Sequence, residues 1–189
     1  MSTRPTVLTI LLLGVVVSLA GDACHVASGT TRYLWDGVPT IWRSAIWFPV
    51  LVAGGVLALA VTGRDLTPRF PAARRRTRAD VIPAAAAVLA LYALTAALRH
   101  QPTTVSVVLT ASIAVVIWGV WDPSPGAALG GAIAAVSGPL VEIVIVAIGA
   151  AEYASRSDGL AGVAPWLPAL YFAAGAVAFR LWDAVRSAP

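Results

Sequence analysis

"AALGGAIAAVSGPLVEIVIVAIGA", Ala127 to Ala150, is an unbroken apolar run that carries a single charged side chain. A bilayer core about 30 Å thick is crossed by roughly 20 such residues in helical form. Lipid offers no partner to backbone N–H and C=O groups, so a run of this kind must be a helix. Gly126, Gly130, Ala134 and Gly138 recur every four residues along it, a stripe that lets a second helix approach closely. Pro139 removes one backbone donor and predicts a kink near Ser137 and Gly138. Glu142 follows one turn later, roughly 22 Å along the helix from Ala127 and past the membrane midplane. A carboxylate is costly in lipid, so it should face the bundle interior, a water pocket or a hydrogen-bonding ligand. Two readings stand side by side here. Glu142 is a polar anchor in an apolar cavity, or it makes a structural hydrogen bond to Ser or Thr on another helix, for example the fourth.

The rest of the chain is built in the same way. Of its 189 residues 59% are hydrophobic and only 12% are charged, with mean hydropathy +0.83. Soluble domains keep about a quarter of their residues charged, so lipid is the solvent for much of this surface. Five further segments read as spans: Thr6 to Cys24, Ser44 to Thr62, Asp80 to Leu98, Thr103 to Val120 and Pro165 to Val185. The expected fold is an all-α membrane protein, a single six-helix transmembrane domain over residues 1–189. The first segment has an alternative reading as a cleaved secretory signal, but nothing resembling a soluble secreted domain follows it. Gly54, Gly55 and Ala58 on the second helix, and Ala86, Ala90 and Ala97 on the third, are read as further packing positions.

All 13 basic residues are arginine, and their placement orients the bundle. "GRDLTPRFPAARRRTRAD", Gly63 to Asp80, holds Arg64, Arg69, Arg74, Arg75, Arg76 and Arg78, and positively charged loops face the cytoplasm. Both termini then lie on the cytoplasmic side with Arg4, Arg180 and Arg186. Arg32, Arg43, Arg99 and Arg156 lie outside. The cluster can also attract anionic lipid, although topology control accounts for it. A net charge of +4 and a pI near 10.0 therefore do not point to nucleic acid, since no aromatic-basic motif accompanies the arginines. The seven tryptophans, at 35, 42, 47, 118, 121, 166 and 182, fall near predicted helix ends and read as interfacial belts.

Catalytic signatures are weak. Cys24 is the single cysteine, so no intrachain disulfide can form, and with His25 and His100 it gives no zinc spacing. Pairing His25 with Asp22, or His100 with Asp122, is the sparse metal alternative. No Ser-His pair, paired aspartates or HExxH is placed on a helix, no cofactor motif is present, and the halves show no internal repeat of the transporter kind. A binding or scaffold protein is favoured over an enzyme. The alternative is a small lipid-modifying or transport protein that uses Glu142 with His25 or His100. "WDPSPG", Trp121 to Gly126, reads as a turn between two spans, with Asp122 placed to cap the fifth helix.

Several stretches resemble the Insig family. They are "SAIWFP" (Ser44 to Pro49), "WDPSPGAALGG" (Trp121 to Gly131), "GAAEY" (Gly149 to Tyr153) and "PWLPALYFAAGAVAFR" (Pro165 to Arg180). The family has S-A-W-W-V-P at its second span and W-x-x-F-D with a glycine-rich stretch after the fourth. It has G-V-Y-Q-Y after the fifth, and W-L-P with aromatics and glycines in the sixth. Each motif is weak by itself, but their ordered combination over nearly the whole chain is specific. The resemblance implies a six-helix, Insig-like bundle that binds a lipid and is not an enzyme. Insig proteins bind oxysterols within the bundle, retain the escort protein Scap, and assist degradation of the sterol-synthesis reductase. On this likeness Asp122 takes the place of the aspartate that engages Scap, and is partner-facing. Trp47 and Trp118 match aromatic positions near the lipid region, so Trp47, Trp118 and Glu142 are the expected lipid-binding residues. Glu142 itself stands where the family has a neutral residue. The ligand class implied is a sterol-like lipid or a diacylglycerol. A homo-oligomer is permitted, and a Scap-like partner is implied but not expected in a bacterial plasma membrane.

Overall fold

The computed structural model describes residues 3–187. Six helices follow one another: α1 (Thr3–Ser28), α2 (Trp47–Leu66), α3 (Arg78–Ala97), α4 (Thr103–Trp121), α5 (Pro125–Ala147) and α6 (Leu167–Arg186). The first five are long and apolar enough to cross a membrane. α6 is the exception, and its position explains why: it packs against each of the other five helices. A helix surrounded by protein has no need of a lipid-compatible surface, so α6 can bury Arg180, while Asp183 and Arg186 are exposed at its end. Leu170, Ala173, Ala176 and Phe179 along its length are all buried.

Small residues let α5 and α2 reach this central helix. A Cβ on Gly130 would overlap the Phe179 ring, one on Gly138 the Tyr171 ring, and one on Gly126 the Arg180 guanidinium. The stripe expected along the fifth helix is therefore the seam to α6. On α2 the seam is elsewhere than expected. Nothing approaches within 4 Å of a Cβ on Gly54 or Gly55, whereas Gly63 sits directly on the Phe179 carbonyl. Ala86, Ala90 and Ala97 of α3 face outward, and Val81, Ala84, Val88 and Leu91 make its packing face. Small side chains permit close approach without requiring it, and alanine is equally at ease against lipid. Gly63→Ala is expected to push α2 off α6 and to cost about 1–3 kcal/mol, the usual penalty for overpacking. Thermal unfolding in detergent measures it; an unchanged transition contradicts the seam.

Two short β-ribbons modify the expected helix ends. β1 (Thr31–Tyr33) follows α1, and β2 (Thr40–Ile41) and β3 (Ser44–Ala45) form a hairpin before α2. β4 (Ala151–Tyr153) follows α5 and pairs antiparallel with β1, with Thr31 opposite Tyr153 and Tyr33 opposite Ala151. The second span thus starts at Trp47 rather than Ser44, the fifth ends at Ala147 rather than Ala150, and the first extends past Cys24 to Ser28. Trp42 and Arg43 take the left-handed conformation (φ 50° and 73°) at the hairpin turn.

The tryptophans divide. Trp35 and Trp42 are exposed, but Trp121, Trp166 and Trp182 are buried within the bundle and form no interfacial belt. The arginine-rich segment between α2 and α3 is also more than a topology signal. Arg74 donates to the Val120 carbonyl at 3.0 Å and Arg76 to that of Trp121 at 2.5 Å. Cations thus satisfy the free carbonyls at the C-terminus of α4.

Candidate lipid-binding cavity

A cavity of about 420 Å³ lies between α1, α2, α3, α5 and α6. Its walls are aliphatic, with Leu13 and Val17 from α1, Val56 from α2, Val88 from α3, Ile145 from α5 and Leu170 from α6. Exposed lining residues mark its mouth: Leu51, Gly55 and Ala58 on α2 face Ile133, Ser137 and Val141 on α5. The three- and four-residue spacing puts each trio on one helix face, so the cavity opens sideways between α2 and α5 toward lipid. Glu142 is the one charged side chain among its described lining residues.

Glu142 is buried, and both of its oxygens are engaged. Oε1 accepts from the Tyr171 hydroxyl at 2.8 Å and Oε2 from the Tyr153 hydroxyl at 3.1 Å. Its partners are thus tyrosines of α6 and β4, where the sequence suggested Ser or Thr of α4. Burial holds the Tyr153 hydroxyl well above the ordinary tyrosine range, so it is a neutral donor.

Beside Glu142 is a second, much smaller recess of about 20 Å³. It shares Phe48, Tyr92, Glu142 and Ile145 with the large cavity and is otherwise lined by Asp22, His25, Thr31, Tyr33, Trp47 and Tyr153 among others. Asp22 Oδ2 accepts from the Tyr33 hydroxyl at 2.6 Å, and His25 Nε2 is 2.8 Å from Thr95 Oγ1. Burial first, then the Asp22 carboxylate, raises Tyr33 above its ordinary range. All four tyrosines of the chain line one hollow or the other. Sequence reading missed them, although a signal existed: tyrosine is scarce here, and Tyr153 belongs to the "GAAEY" stretch.

The expected site residues do not all meet. Trp47 lines the small recess, with its ring 5.6 Å from that of Tyr33. Trp118 lies on α4, which contributes none of the described lining residues of either hollow; its ring packs edge-on against Phe172 at 6.4 Å. His25 reaches the recess, but His100 sits exposed in the 3-10 turn after α3. Among the described residues no three His, Cys, Asp or Glu side chains cluster as metal ligands.

Asp122 is neither exposed nor the cap of α5. It is fully buried, and its Oδ2 pairs with Arg180 Nε at 2.7 Å. The same carboxylate accepts from Ser124 Oγ at 2.6 Å and from the Ala73 amide at 2.8 Å. Ser124 is the N-cap, its Oγ accepting from the Ala127 amide at 3.2 Å, with Pro125 opening the helix. Arg180, enclosed on α6, needs an anion, and Asp122 is the carboxylate paired with it, which draws Asp122 inward and leaves the cap to Ser124.

No protein-family model matches the chain. An "INSIG protein homolog" from Mycolicibacterium vanbaalenii is 42% identical over 175 residues, which cover 92% of this chain and 83% of that protein. The crystal structure of MvINS, a mycobacterial Insig homologue from Mycobacterium vanbaalenii, superposes with a TM-score of 0.86 at 40% identity. It covers 95% of this chain and 93% of the other. A cross-linked MvINS trimer carrying an arginine-to-cysteine substitution matches equally well, with a TM-score of 0.86 at 40% identity. With this identity sustained over nearly its full length, the chain is a multi-pass membrane protein of the Insig family.

Proposed function

We propose that this protein binds a neutral lipid, sterol-like or diacylglycerol-like, in the bundle cavity and acts as a lipid sensor or scaffold, not an enzyme. One observation carries the reading: an apolar hollow of about 420 Å³ opens sideways toward lipid and ends on a single hydrogen-bonded carboxyl group, that of Glu142. Ligand cavities span roughly 300–1,000 Å³ and combine apolar walls with a few placed polar groups. An aliphatic tail enters between α2 and α5, and a hydroxyl headgroup reaches Glu142 and Tyr92. Trp47 takes part only through the small recess, and Trp118, packed on Phe172, is not among the described lining residues of either hollow. Both termini are placed on the cytoplasmic side by the arginine distribution. The trimer formed by cross-linked MvINS supports a homo-oligomer here. A Scap-like partner could use Asp122 only after its ion pair with Arg180 opened. The rival reading, lipid modification or transport through Glu142 and His25, is less well supported, because both groups are already held by neutral hydroxyls.

Glu142→Gln is expected to weaken saturable binding of diacylglycerol or cholesterol roughly tenfold, the scale of one charge-assisted hydrogen bond. Native mass spectrometry of the detergent-purified protein measures it. Absence of saturable binding by the unmodified protein, or of any co-purifying lipid, overturns the reading.

A further inference from the structure

We infer that the small recess behind Glu142 is a second polar subsite, one hydroxyl group in size, in which Thr31 and Asp22 receive the headgroup of a bound lipid. This rests on the lipid-binding reading above and adds a selection rule to it: a neutral lipid with a free hydroxyl enters, and a phosphate-bearing lipid does not.

Geometry carries the inference. The recess measures about 20 Å³, and roughly 10–15 Å³ suffices for a group the size of one water. Phe48, Tyr92 and Glu142 border both hollows, so a headgroup that reaches Glu142 is already at the entrance. Thr31 lines the recess, is only 8% exposed, and its Oγ1 has no hydrogen-bond partner. Pairing of β1 with β4 fixes its backbone beside the recess. A buried hydroxyl left unpaired is unfavourable, and a partner that enters the recess relieves it. Asp22 accepts from Tyr33 and has Ser44 as a second hydroxyl neighbour, and a carboxylate can accept about four hydrogen bonds.

Charge supplies the selection. No arginine lines either hollow among the described residues, while Asp22 and Glu142 both border the recess. A phosphate there would be too large for the space, and it would meet two acidic side chains with no cation to offset it. A hydroxyl fits on both counts. The chemistry is shared by a diacylglycerol and a sterol, and the two are separated by experiment.

The test compares dioleoylglycerol and cholesterol, each with its hydroxyl-free analogue, and dioleoyl phosphatidic acid. Saturable binding to the full chain is read by native mass spectrometry for the unmodified protein, Thr31→Val and Thr31→Ala. Melting temperatures confirm that each variant is folded. Of the hydroxyl lipids, at least one is expected to bind about tenfold tighter than its hydroxyl-free analogue, and the phosphatidic acid at least tenfold more weakly. Both Thr31 variants are expected to lose about fivefold for the hydroxyl lipid and nothing for its analogue, about one neutral hydrogen bond. Equal losses for the pair, no loss for either, or phosphatidic acid binding as tightly as dioleoylglycerol overturns the subsite while leaving the cavity intact. Failure of the unmodified protein to bind any of the probes overturns the lipid-binding reading itself.

Discussion

Asp122→Ala is expected to be the most destabilising single substitution in the bundle, at about 3–5 kcal/mol, because it strips a buried cation of its counter-ion. Arg180 is 3% exposed and Asp122 not at all. Without the carboxylate, the guanidinium keeps only neutral partners: the Phe70 carbonyl at 2.7 Å, Ser124 Oγ at 2.8 Å and Thr67 Oγ1 at 3.3 Å. The Ala73 amide loses its acceptor as well, so the segment between α2 and α3 loses one of its ties to the bundle and becomes more open to protease. Thermal unfolding and limited proteolysis of that segment report the two effects separately. Adding Arg180→Leu to Asp122→Ala is expected to recover part of the loss, since an apolar pair in a buried site costs less than an unpaired charge. A melting transition for Asp122→Ala within about 1 kcal/mol of the unmodified protein contradicts the buried ion pair.

Gly55→Trp is expected to separate binding from stability. A Cβ at Gly55 meets nothing within 4 Å, and the position lines the cavity mouth on α2. An indole there projects into the opening between α2 and α5 without forcing a backbone apart. Replacing a glycine within a helix also removes roughly 0.5 kcal/mol of conformational penalty. Lipid binding is therefore expected to fall at least tenfold, while the melting temperature of the lipid-free protein stays equal or rises. Matched losses of both would mean that the side chain disrupts the bundle instead of closing it. Unchanged binding would place the ligand's entrance somewhere else.

The features legible in the sequence are those set by local pattern. Long apolar runs gave the helices, and the four-residue spacing of Gly126, Gly130, Ala134 and Gly138 marked the seam to α6. Glu142 stood out because an acid inside a span has few tolerable places. Features that depend on distant pairing were hidden. Three residues of β1 meet three of β4 across more than a hundred positions, too short a signal to read, yet this ribbon holds Tyr33 and Tyr153 at the hollows. Tryptophan near a helix end looks the same whether it meets lipid or protein, so Trp121, Trp166 and Trp182 were misplaced. The sequence neighbours of Asp122 suggest a helix cap, whereas its partner Arg180 lies 58 residues away, beyond any local pattern. The low hydropathy of α6 is the signal in the sequence of its central position. Arg180 in particular suits a helix enclosed by protein better than one facing lipid.

The central claim is that the cavity between α2 and α5 holds a lipid whose headgroup meets Glu142. A crystal or cryo-EM structure of the protein purified with dioleoylglycerol or cholesterol tests it most directly. Continuous ligand density inside the hollow, with a headgroup oxygen within about 3.2 Å of Glu142 or Tyr92, is the result predicted. Density confined to the outer surface, with the hollow closed by Leu51, Ile133 and Val141, would contradict it.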